Sequence, residues 1–113
     1  MPAPRPQLDA DAMRDHASDA ARLMKTLGND HRLLILCLLV DRERAVGELN
    51  EHLALSQSAL SQHLAVLREE GLVQTRRDRQ SILYSLAPGP ARTIVETLHG
   101  LYCGVAGPVR ARR

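Results

Sequence analysis

AVGELNEHLALSQSALSQHLAVLREEGLVQTRRDRQSILYSL, residues 45–86, changes its hydrophobic period once, and that change decides the fold. Val46, Leu49 and Leu53 recur at helical spacing, and Leu55 closes the element over 45–53. This helix is too short to be stable alone, so its role is to pack. Ser56 follows as an N-cap, with Ala59, Leu60, Leu64 and Leu67 as the apolar stripe of a second helix. Gly71 stops that helix, since glycine takes positive φ without a Cβ penalty. Beyond it the period drops to about two: Leu72, Val73 and Thr75, then Ile82, Tyr84 and Leu86, read as two antiparallel strands. Arg77-Asp78-Arg79-Gln80 turns between them, and without Asn-Gly a loop longer than two residues is expected. Helix, tight connection, helix and hairpin make a winged helix-turn-helix.

The second helix has an unusual surface. From Ser56 to Leu67 there is no Asp, Glu, Lys or Arg, yet Ser58, Ser61, Gln62 and His63 supply donors and acceptors. An ordinary solvated face carries charge. A face that enters a major groove wants neutral groups for base edges and no carboxylate against phosphate. Arg76, Arg77 and Arg79 follow in the hairpin, where a wing straddles the backbone or reaches the minor groove. Alone they would be a solvated charge run; the combination carries the DNA reading.

The chain has 113 residues and a net charge of +2, one small domain with mild basicity. So short a chain buries a modest core, and a partner surface that adds burial is expected. Without Trp or Phe, stacking on splayed single-stranded bases is disfavoured. No apolar run is long enough for a membrane span and no signal peptide is apparent, so a cytoplasmic location is expected. There the two cysteines stay reduced or switch rather than staple the fold.

Outward from the central stretch, residues 1–7 hold three of the six prolines and read as a disordered arm. Residues 8–27 read as a helix with Asp9 and Asp11 in its first turn and an apolar stripe of Met13, Ala20, Leu23, Met24 and Leu27. The stripe serves its own domain, another subunit, or both. His16, among Asp15 and Asp19, is read as surface rather than as a metal ligand. Asn29 or Asp30 caps a helix over about 31–42, apolar nearly all round and hence central, with Cys37 in its middle. By itself Cys37 is ordinary core filler. Residues 41–44 form a charged link. Residues 87–90 are a hard break before a last helix to about residue 104, carrying Ile94, Val95, Leu98, Leu101, Tyr102 and Cys103. The rest, 105–113, is a flexible basic tail, leaving 8–104 as the DNA-binding and dimerisation domain. Spare apolar surface on the outer helices points to a homodimer whose paired reading heads match a two-fold operator.

Over nearly the whole chain the sequence resembles the ArsR/SmtB family of small bacterial repressors, most specifically in LSQSALSQHLAVLREEGLV at residues 55–73. The resemblance implies a mainly α fold with a β-hairpin wing: four helices, the wing and a fifth helix, dimerised through the first and last. It implies repression through an inverted-repeat operator. Gln57, Ser58, Ser61, Gln62 and His63 would then face DNA, with Arg77 and Arg79 at the wing.

The chain departs from the metal sensors of that family. After Glu48-Leu49 stand Asn50-Glu51-His52, with no thiolate, and the last helix offers His99 and Glu96 without a second pair. No metal and no cofactor is expected. RLLILC, VGELNE, LSQSALSQHL and LHGLYC are instead similar to the sulfide- and persulfide-responsive branch and its redox-responsive virulence activators. That resemblance makes Cys37 and Cys103 the sensing pair, with reactive sulfur species as inducer. Thiolate attack and resolution by the second thiol would bridge them, and a bridge of three or four sulfurs relaxes the distance limit of a disulfide. The expectation is a repressor released from DNA when the two cysteines are bridged. Alternatives are a general thiol–disulfide regulator, a metal-responsive repressor, or a DNA-binding protein with inert cysteines. Without a phosphate cradle or catalytic dyad, an enzyme is not expected.

Overall fold

The computed structural model describes residues 10–103. The expected arm, the first two residues of the expected opening helix, Gly104 and the basic tail lie outside them.

Among the described residues five helices and a small sheet follow in the order α1 (Ala10–Leu27), α2 (Asp30–Leu38), β1 (Arg44–Ala45), α3 (Val46–His52), α4 (Gln57–Glu69), β2 (Val73–Asp78), β3 (Ser81–Leu86) and α5 (Pro90–Cys103). The strands are antiparallel in the order β1-β3-β2. The core is made by the stripes read from the sequence. Ile35, Leu36, Leu49, Leu60, Leu67 and Val95 are its fully buried members, so α2, α3, α4 and α5 share one centre. The wing closes it with Val73, Tyr84 and Leu86.

Local chemistry sets the ends. The Asn29 side chain accepts from the Arg32 N–H and starts α2. Ser56 does the same for α4 through the Ala59 N–H. At the far end of α4 the N–H of Gly71 bonds the Arg68 carbonyl and that of Leu72 the Leu67 carbonyl. With Gly71 at φ 74° this is a Schellman motif, as its glycine requires. Pro90 opens α5, where its missing N–H costs nothing.

Three expectations are corrected. The second helix ends at Leu38 rather than near residue 42 and is not buried all round, since Leu34 is 44% exposed. The Arg44 side chain donates to the Leu38 carbonyl at 2.6 Å, holding the chain as it leaves the helix. Part of the expected link is therefore a strand: Arg44 pairs with Tyr84 and Ala45 with Leu83. A two-residue strand has no period to read. Finally, the wing turns through two residues only, because Asp78 pairs with Ser81. Arg79 takes φ 61° at the first turn position, a conformation for which glycine is favoured.

Candidate DNA interface and thiol pair

At about 100° per residue, Leu60, Leu64 and Leu67 turn α4 inward, while Gln57, Ser58, Ser61 and Gln62 stay exposed. The last three share one side, free of charge, as a base-reading surface requires. His63 is turned away from it. Its half-buried ring lies 5.6 Å from that of His31 at the start of α2, tilted by 37°. Burial, and then the charges of Arg32 and His31, hold the His63 imidazole below its ordinary range, against an opposing pull from Asp30.

The wing arginines also divide. Arg77 and Arg79 are exposed, and among the described residues no ion pair is recorded for either. Arg76 is bound to Glu43, in the link before β1. Sequence reading missed Glu43 and His31, because their partners lie far along the chain and no local pattern connects them.

Cys37 is half-buried near the end of α2, and Cys103 is exposed at the end of α5; both are free thiols. The two helices pack together, with Ala91 and Val95 of α5 buried against the core. Burial raises the Cys37 thiol above its ordinary pKa, and Cys103 is near enough to raise it further. The half-buried thiol thus gives up its proton less readily than an ordinary thiol, while Cys103 is exposed to solvent. The structure places the two cysteines on helices that pack against each other. It does not gather the acidic and histidine residues: among the described residues no group of three or more His, Cys, Asp or Glu is placed to hold a metal.

No helix among the described residues is long and apolar enough to cross a membrane. Met13, Met24, Leu34, Leu101 and Tyr102 instead leave apolar surface exposed on α1, α2 and α5.

Residues 29–75 match the model of the bacterial regulatory proteins of the arsR family. The chain is 50% identical over 91 residues to the transcriptional activator HlyU of Vibrio cholerae, covering 80% of this chain and 84% of that protein. It is 40% identical over 99 residues to a biofilm growth-associated repressor of Xylella fastidiosa, covering 88% and 87%. The solved structure of reduced HlyU from Vibrio cholerae superposes with a TM-score of 0.77 at 49% identity, covering 81% of this chain and 97% of that one. The winged helix-turn-helix is thus shared along the chain.

Proposed function

The chain belongs to the arsR family of bacterial regulatory proteins, and from that premise we propose that it is a homodimeric repressor whose operator affinity falls when Cys37 and Cys103 are bridged by sulfane sulfur. As a family member it is a DNA-binding transcriptional regulator. In our reading Gln57, Ser58, Ser61 and Gln62 read base edges of an inverted repeat, Arg77 and Arg79 take the backbone or minor groove, and a second copy covers the apolar surface of α1 and α5.

The observation that supports the sensing reading is that one exposed and one half-buried free thiol sit on two helices, α5 and α2, that pack together. The Cys103 thiolate attacks the outer sulfur of a low-molecular-weight persulfide, gaining that sulfur and releasing the thiol. A second persulfide molecule extends the Cys103 persulfide by one more sulfur in the same way, again releasing its thiol. The Cys37 thiolate then attacks the first added sulfur, leaving a trisulfide and expelling the second as hydrosulfide; with three sulfurs gained, attack on the second gives a tetrasulfide and expels the third. Either product ties α5 to α2. Because α5 also meets the second copy in this reading, the tie changes the spacing of the two reading helices. A coupling of about 1–3 kcal/mol is enough for a useful response.

A general thiol–disulfide switch is the second reading, and the solved relative described as reduced favours keeping it. The test is operator binding by wild type, Cys37→Ser and Cys103→Ser before and after glutathione persulfide. Loss of affinity in wild type alone is expected. Equal loss in either single variant would remove the bridge from the account.

A further inference from the structure

One ion pair spans the outward face of the sheet. Arg76 pairs in register with Leu83, and Leu83 with Ala45, so Arg76 and Ala45 share one face two strands apart. Glu43, two residues before Ala45, meets the Arg76 side chain there. Arg76 Nε donates to Oε1 and Oε2 of Glu43 at 3.1 and 3.0 Å, and Nη2 donates to Oε1 at 2.5 Å. The side chains remain 57% and 33% exposed, so a polyanion passing over the wing can reach them. The guanidinium edge that would grip a phosphate oxygen pair is already taken by a carboxylate.

We propose that Glu43 is an affinity-limiting residue, whose carboxylate occupies the place of a DNA phosphate on Arg76 and withholds that arginine from the nucleic-acid backbone. A phosphate that displaced Glu43 would strand an uncompensated carboxylate beside the duplex, so exchange gains little. The neighbouring arginines Arg77 and Arg79 remain available. Backbone contacts raise affinity for every sequence alike, whereas the α4 side chains distinguish sequences. Removing one backbone contact per subunit lowers affinity for all duplexes by the same factor and leaves base reading intact. The ratio of specific to non-specific affinity is left as it is, while the protein leaves every site, non-specific ones included, more readily and with a weaker dependence on salt. Nothing along the sequence announces this, since Arg76 reads as one more basic wing residue and Glu43 as part of a solvated link.

The inference rests on the DNA-binding reading, which wild-type titrations in the same experiment test separately. A mixed-sequence duplex is titrated over a salt series with the full chain, Glu43→Gln, Arg76→Gln and the double variant. Melting temperatures show that each variant is folded. Glu43→Gln is expected to tighten binding about two- to fivefold, the range of one exposed charge contact. It should also steepen the slope of log K against log salt by about 0.9 per subunit. Arg76→Gln should change little by itself and should cancel the gain in the double variant. Unchanged binding and slope in Glu43→Gln would overturn the proposal. So would an Arg76→Gln loss equally large with and without Glu43, since Arg76 would then already be on the DNA.

Discussion

Asp78 and Ser81 face each other as the last pair of the wing, leaving Arg79 and Gln80 to reverse the chain alone. Arg79 therefore carries a long charged side chain at φ 61°, where an L-residue costs about 1–2 kcal/mol over its right-handed alternatives. Glycine would sit there more easily. A cationic side chain held at the tip against that cost points to a use for the charge. Arg79→Gly is expected to keep or slightly raise the melting temperature while weakening operator binding about fivefold or more and flattening its salt slope. A variant that melts lower yet binds normally would make Arg79 a folding residue only.

Gly71 offers the complementary case. A Cβ there meets nothing within 4 Å, so space is not the constraint, but φ is 74°. Gly71→Ala should cost about 1 kcal/mol of stability through the Schellman turn alone. Chemical denaturation measures this directly, and a neutral or stabilising result would contradict the backbone account.

The two thiols should differ in reactivity. Cys103 is exposed, whereas burial and the nearby Cys103 hold Cys37 above its ordinary range. Alkylation of the reduced chain followed by peptide mass mapping should label Cys103 first. Cys37 should follow more slowly, with a rate profile whose midpoint lies above the pH of about 8.5 at which an unperturbed thiol is half ionised. Equal rates at neutral pH would remove the division of roles between attacking and resolving thiol.

Acid should loosen the contact between α2 and the reading helix. Burial first, then Arg32 and His31, keep the folded His63 pKa below its unfolded value. Between those two values the unfolded chain binds more protons, so stability falls as the pH drops through about 6.5 and does not change from this source above about 7.5. Thermal melts across that window should show the loss, and His63→Gln should reduce the slope. An unaltered acid slope in His63→Gln would place its origin elsewhere.

Most of this fold can be read along the chain because its signals are local. Leu60, Leu64 and Leu67 mark the inner face of α4, Ser56 and Gly71 its ends, and Val73, Tyr84 and Leu86 the inner face of the wing. The end of α2 was hidden because apolar residues continue to Val40. There the N–H groups of Leu39 and Val40 bond only three residues back, to Leu36 and Cys37, and the Arg44 side chain holds the Leu38 carbonyl from six residues further along the chain. The site was legible in part for the same reason. The uncharged side of α4 is periodic, but His63 reads as one of that set until its ring is seen against His31. The Arg76–Glu43 pair joins residues 33 apart and depends on the sheet register. Cys37 and Cys103 were joined by resemblance, and only the packing of α2 on α5 supplies a physical reason.

The central claim is most directly tested by intact mass and operator affinity measured on the same samples. Reduced protein is exposed to glutathione persulfide or, separately, to hydrogen peroxide, and both readings are taken at one salt concentration. The account expects the persulfide sample to carry a Cys37–Cys103 bridge with one or two added sulfur atoms and to lose affinity, while the peroxide sample keeps it. Equal loss of two hydrogens and equal release in both samples would make the chain a general redox switch. No mass change and no release would contradict thiol sensing altogether.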